Sequence, residues 1–232
     1  MTTPTWIARR GELETYFDRT AVEAWKRLTS DAPVSRVRAT VRAGRDAMRE
    51  KLLSWLPEDL RGARLLDAGC GTGALAIEAA RRGADVLAID ISPTLVNLAK
   101  ERAPRELGAG QVTFAVGDML DPALGRFDHV VAMDSLIHYE GADIARTLAT
   151  LAPRTSGSII FTIAPSTPAL TVMHAVGRFF PRGNRAPAIA PISKRALERH
   201  IGEQPDLAEW RIARAHRVDS GFYVSQALEA RP

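Results

Sequence analysis

The sequence of 232 residues has little cysteine, little lysine and no long hydrophobic run. Its one cysteine, Cys70, excludes an internal disulfide and a cysteine-based metal cluster. The apolar run IIFTIA at 159–164 is too short to span a bilayer, and the first residues, MTTPTWIARRGE, lack the apolar segment of a signal peptide. We therefore expect a cytoplasmic protein without a transmembrane segment.

The charged residues give no sign of a nucleic-acid partner. Four of the 31 basic residues are lysines and the others are arginines, and 27 acidic residues lie among them, which leaves a net charge of +4. There is no long basic run and no aromatic-rich strand on which RNA bases could stack. We also expect no resident metal ion, because no metal-ligand spacing is shared by His129, His174, His200 and His216.

Residues 65–73, LLDAGCGTG, form an apolar strand that runs into Asp67 and a loop rich in glycine. Such a loop brings backbone N–H groups against a bound cofactor. Gly69, Gly71 and Ala74 satisfy the dinucleotide fingerprint, so a nicotinamide-dependent oxidoreductase is a competing interpretation. Asp67 argues against it, because a carboxylate beneath the loop would repel a pyrophosphate and attract the ammonium and sulfonium groups of S-adenosylmethionine.

Two later acids extend this pattern. Asp90 ends the apolar strand 86–89, where a carboxylate can accept both ribose hydroxyls of an adenosine. Asp118 follows the strand 112–116, where an acid can accept the adenine amino group. Each acid alone is a weak signal, since it could cap a helix or belong to a turn. The predicted cofactor-binding residues are Asp67, Gly69, Cys70, Gly71, Asp90, Ile91, Ser92, Gly117, Asp118, Met119 and Met133.

Short apolar strands alternate with helical patterns from Arg64 to about Ile163, which predicts an α/β fold with a doubly wound, Rossmann-like sheet. We expect a seven-stranded, mostly parallel sheet. Its later strands are predicted at 127–133, 158–164, 210–218 and 222–230. Ser220-Gly221 is the predicted turn of the last pair.

Two segments are predicted to lie outside that sheet. Residues 1–56 have helical periodicity and are predicted to form an N-terminal helical cap, or lid, on the domain 57–232. The proline-rich stretch 165–191 is predicted to be an insertion after the fifth strand, on the substrate side. The apolar residues of the cap are Phe17, Ala21, Ala24, Trp25, Leu28, Val34, Val37, Val41, Met48, Leu52 and Trp55.

These motifs resemble two known groups of enzymes. DAGCGTG, the acid Asp90 and GDM at 117–119 resemble the class I S-adenosylmethionine-dependent methyltransferases, over roughly residues 60–232. A narrower resemblance, to the magnesium-protoporphyrin O-methyltransferase family of chlorophyll and bacteriochlorophyll synthesis, rests on YFDRTAVEAWKRLTSD (16–31), VSRVRATVRAGRDAMR (34–49) and DSLIHY (134–139). Chlorophyll-branch relatives commonly have a tyrosine where this chain has Thr29, and Tyr16 is the nearest tyrosine that could replace it.

The resemblance implies transfer of a methyl group from S-adenosylmethionine to one propionate of magnesium protoporphyrin IX. A propionate is ionised at neutral pH, so no base is required, and alignment with the S–CH3 bond does most of the work. His138 and Tyr16 are the candidates to orient it. Handover from a porphyrin-binding subunit of magnesium chelatase and a peripheral contact with the photosynthetic membrane are left open. The alternative is another small-molecule O-methyltransferase, such as one of quinone biosynthesis.

Overall fold

The computed structural model describes residues 3–20, 36–166 and 188–232. In this part of the chain the strands form one seven-stranded sheet in the order β3-β2-β1-β4-β5-β7-β6. The strands are β1 (Arg64–Ala68), β2 (Asp85–Asp90), β3 (Gln111–Val116), β4 (Phe127–Ala132), β5 (Thr155–Ile163), β6 (Arg211–Ser220) and β7 (Tyr223–Arg231). Strands β1 to β5 pair in parallel, and β7 alone runs antiparallel to its neighbours β5 and β6, which confirms the predicted doubly wound, mostly parallel sheet.

Helices cover both faces of this sheet, as the alternation of apolar segments predicts. Within the described ranges they are α1 (Pro4–Thr15), α2 (Arg36–Leu53), α3 (Ala74–Arg81), α4 (Pro93–Arg102), α5 (Gly141–Leu151) and α6 (Lys194–Gly202). A π-helical turn, Tyr16–Thr20, continues α1, and a 3-10 turn, Leu136–His138, follows β4. Helix α4 begins as the sequence predicts, since Ser92 caps it by accepting the N–H of Leu95 and Pro93 occupies its first turn.

The chain order reverses between β1 and β4, which are neighbours in the sheet. From β1 the chain moves outward through β2 and β3, and it then returns to β4 on the other side of β1. Parallel strands end at the same edge, so the residues after β1, β2, β3 and β4 meet at this reversal. An open α/β sheet binds its ligands in the crevice at such a point.

The N-terminal helices pack into the core of the sheet domain. Trp6 and Leu13 of α1 belong to one buried apolar cluster, with α5 and α6. Met48 and Leu52 of α2 belong to the other, with α3 and α4. Val37 was predicted to lie on the apolar face of α2, but it is 46% exposed, because the buried part of the helix begins nearer its carboxyl end. A separate cap over 1–56 stays a prediction.

The structure corrects the turn between β6 and β7. Ser220 was predicted as a turn residue but pairs with Tyr223 across the strands, so the two loop residues are Gly221 and Phe222. Gly221 has φ of +59°, which a residue without a Cβ adopts at little cost.

The ends of the predicted insertion lie close together. Pro165 forms a parallel bridge with Ile192, and the Ser166 N–H donates to the Ile192 carbonyl at 3.2 Å. Most of the predicted insertion 165–191 and of the motif 16–31, including Thr29, lies outside the described residues. In the described segments, no helix combines the length and the hydrophobicity that crossing a membrane requires.

Candidate functional site

A cavity of about 350 Å³ opens at the edge of the sheet where β1, β2 and β4 end. Its volume lies in the range of small-molecule sites. One side is formed by the loops that follow the strands, and the other by the inner faces of α1 and α2. All but one of the residues predicted to bind a cofactor line it.

The glycine loop after β1 is held in one shape by its own backbone. Gly69 and Cys70 donate their N–H groups to the Ile89 carbonyl at 2.8 and 3.0 Å, and Gly71 donates to Asp90 Oδ2 at 2.8 Å. Gly69 has φ of +86°, and a Cβ there would lie 2.5 Å from Ser135 Cβ, so no other residue fits. Burial raises the pKa of the Cys70 thiol well above its usual range, which makes it a poor nucleophile.

Asp67 lies beneath this loop, 2% exposed. Its Oδ2 has no hydrogen-bond donor among residues 3–20, 36–166 and 188–232. Burial, and then the nearby charge of Asp90, raise its pKa to about 7. A buried carboxylate oxygen without a donor favours a positively charged ligand group, and the sulfonium and ammonium of S-adenosylmethionine fit that requirement.

Asp90 ends β2 with both carboxylate oxygens already hydrogen-bonded by the chain. Oδ2 accepts the Gly71 N–H and Oδ1 accepts the Ser92 N–H at 2.9 Å. Each oxygen keeps one lone-pair direction for a ribose hydroxyl. Burial raises the pKa of Asp90. Ile91 lines the cavity, whereas Ser92 is fully buried as the cap of α4 and does not line it.

Asp118 lies after β3, between Gly117 and Met119, which both line the cavity. Its Oδ1 accepts the Leu120 N–H at 2.9 Å, and its Oδ2 is 2.6 Å from Arg10 Nη1. The arginine comes from α1, so the predicted adenine subsite is closed by the N-terminal helix. Met133, at the end of β4, completes the predicted cofactor side.

Helix α1 forms the roof of the cavity with one face. Trp6, Arg10 and Leu13 of α1 line the cavity with Phe17 of the π-helical turn that continues it, at the spacing of successive helical turns. Trp6 also stacks on Tyr139, with ring centroids 4.0 Å apart. Our sequence interpretation assigned no site role to Trp6, Arg10 or Leu13. The helical period from position 6 was the signal that could have revealed this face.

Of the two candidate catalytic residues, His138 lines the cavity and Tyr16 does not. His138 lies on the 3-10 turn after β4, with its Nδ1 3.3 Å from the Ala188 carbonyl oxygen. Burial lowers its pKa, so the imidazole is neutral at pH 7, with its proton on Nδ1 to serve that carbonyl. The Tyr16 ring meets Phe17 edge-on, at 5.2 Å between centroids.

Helix α2 contributes a charged wall to the cavity, made of Arg42, Arg45, Asp46 and Arg49, which we call the α2 wall. Arg49 pairs with Asp46 at 2.9 Å along the helix. Arg45 crosses to Asp134, with 2.5 Å between Nη1 and Oδ2. Acids from the strand ends and arginines from α2 therefore face each other across the site.

The two sides of the cavity suit two kinds of ligand. The strand-end side offers Asp67, Asp90 and Asp118 to a cationic nucleoside. The side formed by α1 and α2 offers arginines and aromatic rings, and the neutral His138, on the turn after β4, lies with its ring centroid 6.3 Å from that of Phe17. A donor held by the acids and an acceptor held by the arginines would share one cavity, as group transfer requires.

Comparisons with known proteins place the chain among methyltransferases. The family model described as magnesium-protoporphyrin IX methyltransferase C-terminus matches residues 132–232, and a methyltransferase domain model matches 65–155. The magnesium-protoporphyrin O-methyltransferase of Rhodobacter capsulatus is 54% identical over 96% of each chain.

A solved structure and a second relative show how far each likeness extends. The crystal structure of magnesium protoporphyrin IX methyltransferase from Synechocystis PCC 6803 with bound S-adenosylhomocysteine is 30% identical, covers 96% of this chain and 99% of that one, and has a TM-score of 0.82. A ubiquinone biosynthesis O-methyltransferase of Xanthomonas oryzae pv. oryzae is 37% identical, but over only 54% of this chain and 55% of the relative.

Proposed function

Since the chain belongs to the magnesium-protoporphyrin O-methyltransferase family, we propose that the cavity between the strand ends and helices α1 and α2 is its active site. The enzyme transfers a methyl group from S-adenosylmethionine to magnesium protoporphyrin IX, and the acceptor is a propionate carboxylate, which gives the monomethyl ester. One observation supports this acceptor above a quinol: the likeness to magnesium-protoporphyrin enzymes includes the acceptor side of the cavity, whereas the quinone-pathway likeness stops at about half of the chain.

The cofactor side is proposed to bind the donor through its acids. When bound, S-adenosylmethionine supplies an electrophilic methyl group on a sulfonium. Asp67 would attract the positive charges, Asp90 would accept the ribose hydroxyls, and Asp118 would accept the adenine amino group. Gly69, Cys70, Gly71, Ile91, Gly117, Met119 and Met133 line the same side and would contact the donor. Ser92 would act from beneath, by capping α4 and donating its N–H to Asp90.

His138 is proposed to hold the reacting carboxylate. Because the Nδ1–H group donates to the Ala188 carbonyl, Nε2 is an acceptor, so it pairs with a propionate carboxylate only when one proton lies between them. That proton is taken from solvent when the propionate binds, it fixes the orientation of the carboxylate, and it returns to solvent after the ester forms. No net proton is consumed, so His138 improves alignment more than it enables the chemistry.

A role for Tyr16 stays a prediction, and the proposed role is less direct than that of His138. It lies beside the roof and not in the cavity lining, and its ring contacts Phe17, whose own ring is 6.3 Å from His138 between centroids. Tyr16 would therefore support the residue that packs on the histidine. Burial raises the pKa of Tyr16, which keeps the phenol protonated as a hydrogen-bond donor.

We further propose that the porphyrin reaches the cavity by handover from a porphyrin-binding subunit of magnesium chelatase. A peripheral contact with the photosynthetic membrane is the second proposed source. The support is chemical: a flat macrocycle is poorly soluble, and free diffusion would expose it to water. Addition of the chelatase subunit should raise kcat/KM for the porphyrin. If vesicles raise it and the subunit does not, the handover proposal fails.

The decisive experiment uses purified enzyme and S-adenosylmethionine with a labelled methyl group. Magnesium protoporphyrin IX should be converted to a singly methylated product, identified by mass, and its dimethyl ester should not react. A demethylated quinol of ubiquinone synthesis and NAD binding serve as the alternative arms. Methylation of the quinol without methylation of any magnesium porphyrin would overturn the proposal.

A further inference from the structure

We infer that Asp134 is a positioning residue that fixes the α2 wall against the glycine loop, and thereby aligns the acceptor with the donor. This inference rests on the proposed function. Asp134 follows Met133 at the end of β4 and lines the cavity between the two sides. Its contacts reach three other elements, and the next residue, Ser135, contacts the end of β1 and the glycine loop.

The carboxylate of Asp134 joins three elements of the fold. It is 7% exposed and accepts from Arg45 of α2 at 2.5 Å. Tyr223, the first residue of β7, donates its hydroxyl to both carboxylate oxygens at 3.0 and 3.2 Å. Thr162 of β5 donates to Oδ1 at 3.3 Å. A buried acid with a guanidinium and two hydroxyls around it has a single well-defined orientation.

The backbone of Asp134 is held in an uncommon conformation. Its φ is +54°, the only positive value of a non-glycine residue among the described residues. The Asp134 N–H donates to Thr162 Oγ1 at 2.7 Å, so the same threonine binds both the backbone and the side chain. Such a conformation persists where its surroundings hold it, and it is common at functional sites.

This turn directs the next residue onto the cofactor loop. Ser135 Oγ donates to the Ala68 carbonyl at 2.8 Å, at the end of β1. Ser135 Cβ fills the space that a side chain at Gly69 would need. The contact from β4 to the glycine loop is therefore direct, and it begins at the residue whose conformation the carboxylate network stabilises.

The contacts of the Asp134 carboxylate also hold α2 in place. Gly44, next to Arg45, lies so close to Tyr223 that a Cβ there would be 2.6 Å from the ring carbon Cδ1. Helix α2 thus meets Tyr223 by backbone contact and Asp134 by an ion pair. We call the contact of Asp134 with Arg45 and Tyr223 the joint. Because the arginines of the α2 wall line the proposed acceptor side, a shift at the joint would move that side relative to the donor side. Small misplacements of this kind lower the rate of group transfer.

The test compares Asp134→Asn, Arg45→Met and the double variant with the parent enzyme. We expect each single variant to lower kcat by roughly 10- to 100-fold, while calorimetry finds the Kd for S-adenosylhomocysteine changed by less than about threefold. The double variant should be no slower than the worse single one, because both remove one joint. Glu50→Gln, which removes an exposed charge from the same helix, is the matched control.

Two further measurements keep the outcomes distinct. Tyr223→Phe removes one hydroxyl from the joint and should reproduce the kcat loss on a smaller scale, whether or not Asp134→Asn folds. Amide hydrogen exchange should become faster in both 44–49 and 69–73 of the variants. Additive losses, a loss of cofactor affinity alone, or unchanged exchange in the glycine loop would overturn the inference. Failure of the parent enzyme to methylate a magnesium porphyrin would instead contradict the proposed function.

Discussion

The guanidinium of Arg10 lies 2.6 Å from the carboxylate of Asp118, so the N-terminal helix is bound to the acid predicted to recognise adenine. Two aspartates, each accepting two hydrogen bonds, also anchor the same segment. Thr3 and Thr5 donate to Asp143 of α5 at 2.8 and 3.0 Å. Asp18 accepts from Ser92 Oγ and the Thr94 N–H at the start of α4. That α1 acts as a lid over the cofactor stays a prediction, and these contacts give the positions at which it can be tested.

If the N-terminal helix acts as a lid, bound ligand should protect residues 1–35 from proteolysis. Trypsin should cut after Arg9 and Arg10 more slowly in the protein with bound S-adenosylhomocysteine than in the free protein, because the ligand adds contacts to the inner face of α1. Mass spectrometry of timed digests measures the two rates. Cleavage after Arg61, whose side chain is 72% exposed in the ion pair with Asp59, is the internal control and should not change. Equal rates at Arg10 with and without ligand would exclude the lid.

Asp90→Ala should weaken cofactor binding roughly 10- to 100-fold, since a charged hydrogen-bond partner contributes about 1.5 to 3 kcal/mol. The substitution removes the proposed acceptor of two ribose hydroxyls and also leaves the Gly71 N–H without its partner, so both effects act in the same direction. Calorimetric titration with S-adenosylhomocysteine gives the affinity. Asp85→Ala, at the exposed start of the same strand, should bind like the parent. Parent-like affinity of Asp90→Ala would remove Asp90 from the site.

We predict that Asp67 releases a proton when the cofactor binds near neutral pH. Its pKa is raised to about 7, and a cation placed beside it lowers that pKa. Calorimetry at about pH 7, in buffers of different ionisation enthalpy, should detect release of a fraction of a proton. Asp67→Asn should bind the cofactor without this release. Identical proton counts for the two proteins would contradict the assignment.

The same pKa gives a prediction for stability. Between the ordinary pKa of an aspartate and about 7, folded Asp67 keeps a proton that the unfolded chain gives up. Its contribution to the free energy of unfolding therefore falls as the pH rises through this window. Asp67→Asn should lose that part of the pH dependence and gain stability relative to the parent at pH 8. Denaturant titrations at pH 5 and pH 8 compare the two proteins, and parallel curves would show that Asp67 does not titrate there.

His138→Ala should lower kcat by roughly 10- to 1000-fold with little change in cofactor affinity, because the histidine orients the carboxylate and no obligatory proton transfer limits the reaction. Steady-state turnover of magnesium protoporphyrin and a cofactor titration give the two quantities. His216→Ala, at an exposed position of β6, is the matched control. An unchanged kcat in His138→Ala would leave the histidine outside the mechanism.

The sequence by itself determined the sheet and the cofactor side of the cavity. Strand positions follow from short apolar runs, and Asp67, Asp90 and Asp118 mark strand ends that parallel pairing brings to one edge. The apolar runs are local and the meeting of the strand ends follows from topology, so both can be predicted without knowledge of side-chain packing. The family motifs at 134–139 added the acceptor side, because a short segment after β4 contains His138 and Asp134.

Only the tertiary structure decided which distant residues complete the site. Arg10 reaches Asp118, and Tyr223 reaches Asp134, across 108 and 89 positions of the chain. No period or spacing encodes such pairs, since several acids could accept either donor and packing selects one. Packing also placed Phe17 in the cavity and Tyr16 beside it, although both lie on one predicted helix. One residue turns a helical face by about 100°, and the contacts of α1 with the sheet domain set that rotation.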